Sequence, residues 1–305
     1  MTKYELWKNT HTSPFHFPVT EAIWNQSIYE DIDSDGRKLF DSITVQLSPA
    51  AKSCDEMIVY GRTAFGFDEQ GEISENVHYH VIRDLAFPAD SMDIGQSLPD
   101  HALKDFDSDS TVYAFFHYFG MSCCGRHGKL HESQSHIHDL LLKNGFVVEH
   151  ENIYYSKVLT NPDDNGLIKL IWKEMSKGSC REFAAVTDGQ EVCWGQVHFL
   201  PQGDIAYLRW IYVGDQFQHR GIGTHVMKAL FSDLFKMGIR RFDTDTARSN
   251  TAAQGYYEKS GFTNEGITRS YFTKLTNGYR FCDSRSSFYS TDFSASAILI
   301  FSSLK

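Results

Sequence analysis

The segment Gln218-His-Arg-Gly-Ile-Gly223 is the stretch of this chain whose residue types and spacing are best suited to chemistry. It follows an apolar run, Leu208–Val213. It opens a segment in which Val226, Met227, Leu230, Phe231, Leu234 and Phe235 recur at three- and four-residue intervals. That pattern predicts a strand, a short loop and an amphipathic helix, with Gly238 in the terminating position and a further strand over Ile239–Thr246. Glycines carry no Cβ, so backbone N–H groups at the mouth of such a helix can close around an anion such as a diphosphate. Competing loops fit less well. A dinucleotide fingerprint needs a third glycine where Val226 stands, and no G-x-x-x-x-G-K-[ST] phosphate loop is present. A tight strand-to-helix turn without a ligand is the bland alternative.

A second element lies downstream. Asn250-Thr-Ala-Ala-Gln-Gly-Tyr-Tyr-Glu-Lys-Ser is bounded by a good N-cap residue and by Gly261-Phe262. Asn250 and Tyr257, seven residues apart, share one helix face because seven residues make about two turns. Taken singly, Asn250 caps and Tyr257 packs. Taken in order, Q-x-x-G-x-G, Asn250 and then Tyr257 before Glu258-Lys-Ser-Gly-Phe262 resemble the GNAT N-acyltransferases, from Thr160 to Phe272. Asp215 replaces a proline common in the family, a departure that bears on loop stiffness only.

The resemblance implies an acetyl-CoA co-substrate and an N-acetyltransferase activity. The acetyl group would pass to a primary amine of a small molecule or peptide, by direct attack in a ternary complex. Backbone N–H groups over Gln218, His219, Arg220, Gly221, Gly223 and Thr224 would hold the diphosphate, aided by the Gln218 and Arg220 side chains. Asn250 would contact the pantetheine arm. Tyr257 would sit near the thioester sulfur and protonate the departing thiolate. The strand ending at Ile211-Tyr-Val213 would splay from its neighbour. The N–H of Val213, with Ile211 close by, would then face the thioester carbonyl. The base is not singled out; Glu191, Asp204, Asp243 and Asp245 are candidates. A non-catalytic acyl-CoA-binding sensor is the alternative, and an intact Tyr257 weighs against it.

Composition bounds the rest. A chain of 305 residues with 41% apolar and 14% aromatic residues has material for two packed domains. A net charge of −10 lacks the basic footprint of a nucleic-acid binder. The opening Met-Thr-Lys-Tyr-Glu-Leu-Trp lacks a signal-peptide core, and no apolar run approaches the roughly 20 residues that span a bilayer. Six cysteines in a chain this long do not form a disulfide framework. The expectation is a cytoplasmic protein with neither nucleic acid nor membrane as partner.

The segment Asn161-Pro-Asp-Asp-Asn-Gly166 reads as a linker. The flanking halves end alike: Gly145-Phe146 and Gly261-Phe262 each follow a helix with Lys two places before Gly. At this offset Gln134 faces Asn250 and Leu141 faces Tyr257. The expected fold class is therefore α/β with mixed sheets, in two GNAT-like domains, each a twisted mixed β-sheet flanked by helices. The expected division is a degenerate copy over 1–160, the acetyltransferase domain over 161–275 and a poorly ordered tail over 276–305. The nearest first-half counterpart of the glycine loop is Cys124-Gly-Arg-His-Gly-Lys-Leu130. In finer detail, residues 21–40 and Leu167–Met175 read as helices. Met57–Phe67, Val77–Phe87 and Val112–Met121 read as strands, and a hairpin turns at Asp188-Gly189. Ile153–Leu159 fits either half.

Eleven of the 14 histidines precede residue 151. Cys123, Cys124, His127, His131, His136 and His138 are clustered, but adjacent cysteines diverge and lack the C-x₂₋₄-C spacing of zinc sites. No metal ligand set is assigned here. The bland reading is buried cysteines and a polar helix face; an intermediate reading has Arg126, His127 and Lys129 line the cleft between the halves and touch substrate.

Overall fold

A computed structural model describes residues 2–11, 19–47, 56–108, 110–121, 123, 128–160, 167–276 and 279–281. The Cys124–His127 part of the first-half loop, the linker Asn161–Gly166 and the tail beyond Phe281 lie outside the described residues. The chain forms two compact units. Unit 1 holds Arg37–Glu151 with the N-terminal helices and takes the chain back at Ile267. Unit 2 is built around Asn152–Gly266.

In chain order, the elements up to residue 158 are α1 (Lys3–Thr10), α2 (Glu21–Tyr29), β1 (Phe40–Leu47), β2 (Met57–Thr63), β3 (Gly66–Phe67), β4 (Ile73–Ser74), β5 (His80–Ala86), α3 (Met92–Ala102), β6 (Thr111–Ala114), β7 (Leu130–His131), α4 (Ser135–Lys143) and β8 (Val147–Val158). There follow β9 (Lys169–Trp172), β10 (Cys180–Thr187), β11 (Gln190–Phe199), β12 (Ile205–Val213), α5 (Ile222–Lys236), β13 (Arg241–Ala247), α6 (Thr251–Lys259), β14 (Thr263–Thr276) and β15 (Tyr279–Phe281).

The two units repeat one topology. In unit 1, β1 pairs antiparallel with β2, β2 antiparallel with β5, β5 parallel with β6, and β6 antiparallel with Tyr271–Lys274 of β14. In unit 2, β10 pairs antiparallel with β11, β11 antiparallel with β12, β12 parallel with β13, and β13 antiparallel with Asn152–Val158 of β8. Each unit joins its parallel pair through a helix, α3 or α5, as a parallel crossover requires. A register shift recurs too: Arg83 of β5 and Arg209 of β12 are the extra residues of two equivalent bulges.

The Gly-Phe match extends to hydrogen bonds. Gly145 and Gly261 adopt φ of +77° and +81° after α4 and α6. The N–H of Phe146 donates to the Leu141 carbonyl at 3.0 Å, and the N–H of Phe262 to the Tyr257 carbonyl at 3.1 Å. Left-handed glycines in this role close a helix by a Schellman-type bond. The strands after these glycines change unit. β8 starts in unit 1 and belongs to unit 2 from Asn152, whereas β14 starts in unit 2 and belongs to unit 1 from Ile267. Ile153–Leu159, which fits either half by sequence, is thus part of unit 2, although it precedes the linker.

Several expected elements differ. Over 21–40 the helix ends at Tyr29, and Phe40 already begins a strand. Leu167–Met175 contains strand β9 rather than a helix; Leu170 is buried between exposed Lys169 and Ile171, so the operative period is two. The strand expected over Val112–Met121 stops at Ala114, because Phe115 takes φ of +54°. Helix α1 and strand β1 were not expected at all. Helix α1 is fixed by a capping box in which Thr2 and Glu5 satisfy each other's backbone N–H groups.

Candidate active site

Strand β12, the loop 214–221 and helix α5 form the expected strand–loop–helix, and the loop is shaped from within. The Gln218 side-chain amide donates to the Val213 carbonyl and to Asp215 Oδ1, both at 3.0 Å. Its backbone N–H goes to the Asp215 carbonyl at 3.3 Å. Tyr212 donates its hydroxyl to the same carboxylate oxygen at 2.8 Å. Gln218 therefore braces the loop with its side chain. His219 and Gly221 both take left-handed backbone, φ +59° and +77°. Gly221 is the N-cap of α5 and makes no side-chain cap bond. The N–H groups of Thr224 and His225 turn back to the Gly221 carbonyl at 3.1 and 3.3 Å. Among the described residues, no backbone acceptor is recorded for the N–H groups of His219 to Gly223. A helix of 15 residues thus begins with a run of uncapped amides and no acidic residue in its first turn. Such a terminus favours a negative charge.

The strands beside this loop part company. β12 and β13 pair from Ile205–Arg241 to Leu208–Thr244 and no further, although both strands continue. The separation coincides with the Arg209 bulge. Gly214 donates to Val192 of β11 at 3.0 Å. By the two-residue alternation of an extended chain, the N–H groups of Tyr212 and Trp210 also face β11. Those of Ile211 and Val213 consequently face the side from which β13 has withdrawn.

Tyr257, on α6, is buried, and Thr244, the last paired residue of β13, is among the groups that act on its phenol. Burial pushes this phenol up to about 12, so it is protonated across the neutral range. Its ring packs against Tyr155 and Phe262, each at 5.6 Å between centroids. Asn250 caps α6, its Oδ1 accepting from the N–H of Ala253 at 3.1 Å. Tyr256 was not foreseen. It sits one residue from Tyr257, about 100° around the helix, and its hydroxyl donates to the Gly223 carbonyl at 2.7 Å. A Cβ on Gly223 would stand 3.2 Å from the Tyr256 ring. This second glycine thus lets α5 and α6 approach, a role the loop motif alone does not reveal.

The four acidic candidates separate cleanly. Asp204 is exposed before β12, at the far end of the strand from the loop, and Glu191 is exposed and accepts from the Trp194 indole at 2.9 Å. Asp243 is fully buried, ion-paired with Arg241 at 2.9 Å and bonded by the Tyr154 hydroxyl at 2.6 Å. Burial outweighs those partners and raises its carboxyl to about 6. Asp245 accepts from the Tyr207 hydroxyl at 2.5 Å and lies one residue beyond the point of separation. Cys193, paired with Val213, is buried with its thiol pushed up to about 12, which makes it a poor nucleophile.

Residues 146–262 match the model of the acetyltransferase (GNAT) family. That match covers less than half of the chain and assigns a GNAT domain to those residues. No curated protein matches the chain. Among solved structures, it resembles the GCN5-related glucosamine N-acetyltransferase region of a fungal multi-domain GH3 β-N-acetylglucosaminidase, at 10% identity and a TM-score of 0.55. That alignment covers 88% of this chain and 36% of the fungal one. It also resembles a tandem GNAT protein from the clavulanic acid biosynthesis pathway, at 12% identity and a TM-score of 0.49, covering 83% of this chain and 94% of that one. A GCN5-related N-acetyltransferase from Sphaerobacter thermophilus aligns at 12% identity and a TM-score of 0.46, over 74% of this chain and 82% of that one. At such identities the likeness concerns the fold. The GNAT match begins at Phe146, ahead of the linker, as the place of Asn152–Val158 in unit 2 requires.

Unit 1 carries other residues at the topologically equivalent places. By topology, the counterpart of the glycine loop is the connection from β5 to α3, not Cys124–Leu130. Its residues 87–91 lack glycine, and Asp90 and Asp93 stand at the start of α3, where α5 has no acid. The bulge arginine, Arg83, is fully buried and committed to structure. It donates to the carbonyls of Phe119, Ser27, Ile28 and Gly120 and to Asp31, all within 2.8–3.0 Å. Phe116 and Phe119, just beyond β6, pack with Phe40 and Phe65. Lys129 and His131 are buried, and Cys123 accepts from the Ser27 hydroxyl at 2.9 Å. His131 meets Ser133 at 2.8 Å, His138 meets the Tyr271 hydroxyl at 2.9 Å, and His136 packs on Phe87. The described members of the expected cysteine–histidine cluster therefore have separate partners. Among the described residues, no helix is long and apolar enough to cross a membrane.

Proposed function

We propose that unit 2 is an acetyl-CoA-dependent N-acetyltransferase that acts on a primary amine, and that unit 1 is its degenerate companion. The observation that carries this reading is the coincidence of three features on one unit. They are the uncapped amides from His219 to Gly223, the parted strands β12 and β13, and the protonated Tyr257 at the point of parting.

The diphosphate is held by the N–H groups of His219, Arg220, Gly221 and Gly223, with the Arg220 side chain and the Thr224 hydroxyl in reach. Gln218 holds the loop in shape. The Asn250 side-chain amide, whose carbonyl oxygen is spent on the cap, donates to the pantetheine arm. The thioester carbonyl lies in the gap between β12 and β13. The N–H of Val213, with that of Ile211, stabilises its oxygen as negative charge develops; one such donor is worth about 3–4 kcal/mol of barrier. The amine, having lost a proton, attacks the carbonyl carbon. The C–N bond forms and the C–S bond breaks. Tyr257 gives its proton to the departing thiolate, and the amide nitrogen loses its second proton. A buried Cys193 with a raised pKa argues for direct attack over an acyl-cysteine intermediate.

Acetyl-CoA and a panel of amines, with free thiol as readout, test the proposal. Turnover that collapses in Tyr257→Phe while CoA affinity persists supports it. CoA binding without turnover of any amine would favour a sensor.

A further inference from the structure

We propose that His117, Glu149 and His150, in unit 1, form a binding site for a divalent transition-metal ion of the zinc class. The three residues offer two ring nitrogens and one carboxylate oxygen, all within 4.8 Å of one another. They come from two places in the chain. Phe115, with φ of +54°, ends β6 and turns the chain so that His117 can reach β8, where Glu149 and His150 are adjacent. Side chains adjacent on a strand ordinarily point to opposite faces. Here Glu149 Oε1 and His150 Nε2 are nevertheless 3.9 Å apart, and the His117 and His150 rings meet edge-on, with centroids 5.4 Å apart and planes at 67°.

The carboxylate has an oriented second oxygen. Ser270, on the part of β14 that belongs to unit 1, donates its hydroxyl to Glu149 Oε2 at 3.2 Å. This leaves Oε1 toward His150. Metal-binding carboxylates are typically steered by such outer hydrogen bonds. The side chains are mostly withdrawn from solvent, 20% exposed for Glu149 and 32% for His150. Lys129 is the cation acting on Glu149; its ammonium offsets charge but donates no lone pair to a metal.

Two imidazoles and one carboxylate suit Zn²⁺ or Co²⁺ better than Mg²⁺, which prefers an all-oxygen shell. Ligand bonds of about 2.0–2.2 Å place tetrahedral ligand atoms roughly 3.3–3.5 Å apart, so the trio must contract slightly. Three protein ligands leave a fourth position for water. This site is distinct from the cysteine–histidine cluster suggested by sequence, and it does not rest on the acetyltransferase reading.

The full chain, stripped with a chelator, is titrated with Co²⁺ alone and followed by its visible d–d absorption. We expect saturation at one ion per chain and an intense four- or five-coordinate spectrum, displaced by Zn²⁺. Glu149→Gln and His150→Ala should abolish that spectrum. Ser270→Ala should weaken binding by about 10–100-fold, while His136→Ala, which changes a histidine of the same unit outside the trio, leaves it unaltered. The proposal is overturned if Co²⁺ gives only the weak spectrum of the hydrated ion. Binding that is indifferent to Glu149→Gln and Ser270→Ala overturns it equally. Should His117→Ala misfold, these two polar exchanges still decide the matter, with thermal melts confirming that they fold.

Discussion

Replacing Gly221 by alanine separates the loop's structural role from its ligand-binding role. Gly221 has φ of +77°, and a Cβ built there meets nothing within 4 Å. In the unliganded protein, Gly221→Ala therefore incurs only the left-handed backbone penalty, about 1–2 kcal/mol. Gly203 supplies a matched control: φ of +87°, nothing within 4 Å of its Cβ, and a place in the exposed turn before β12. Gly203→Ala should cost the same 1–2 kcal/mol by the same mechanism. The two variants must diverge on coenzyme A. At Gly221, relaxing the strained φ swings the amides from His219 to Gly223 out of register, and the methyl projects from the N-cap itself. A hydrogen bond to a charged group contributes about 1.5–3 kcal/mol, so losing even one weakens binding by roughly 10–150-fold. Urea melts give the stabilities and titration calorimetry with CoA gives the affinities. The reasoning fails if both variants bind CoA within about twofold of each other.

Tyr257→Phe should reduce kcat by about 10²–10⁴-fold, the range for general acid catalysis, with CoA affinity unchanged in calorimetry. Because the Tyr257 phenol lies near 12, any alkaline fall in rate below pH 10 should persist in this variant. A fragment starting at Phe146 should fold and bind CoA, whereas one starting at Leu167 should not, as circular dichroism and thermal shift would show. The shorter piece loses Tyr154 and Tyr155, both buried on the strand that pairs with β13. At up to about 3 kcal/mol each, that loss is comparable with a typical domain's whole stability of 5–15 kcal/mol. Asp243 should tilt stability against pH. Its carboxyl rises to about 6 in the native protein, against about 3.9 unfolded. Between those values the native state holds a proton that the unfolded state has released, so stability falls as pH rises through about 4 to 6, by up to about 3 kcal/mol. Melts of Asp243→Asn across that range should show this slope removed; an unchanged slope would assign it to other groups.

The loop, its helix and the Asn250–Tyr257 helix were legible in sequence because each is a local device. A φ that favours glycine, a cap and a 3.6-residue stripe are written within one turn of the residue concerned. Expectations failed where a decision lay far along the chain. Leu167–Met175 carries too short an apolar run to distinguish its periods, and only pairing with β10 makes it a strand. The partner of β13 is Asn152–Val158, on the near side of the linker, and nothing within that segment states which sheet it joins. The same holds for chemistry. Tyr256 is an unremarkable helix residue until its hydroxyl meets Gly223, 33 positions away. His117 and Glu149 are also far apart in sequence, and no spacing rule would join them.

The strands that change unit, β8 and β14, frame the comparison of the two units. Position by position against unit 2, unit 1 has no glycine loop, carries Asp90 and Asp93 at the start of α3, and uses its bulge arginine as a tie between α2 and the chain beyond β6. Yet its helix α4 still ends in a left-handed Gly145, and Phe146 still feeds the strand that completes unit 2. Conversely, the strand after Gly261 and Phe262 supplies β6 of unit 1 with its antiparallel neighbour. Without Asn152–Val158, β13 would have an unpaired edge beside Thr244. The Gly-Phe junction is thus the point in each half at which the chain passes from helix into the strand that changes unit.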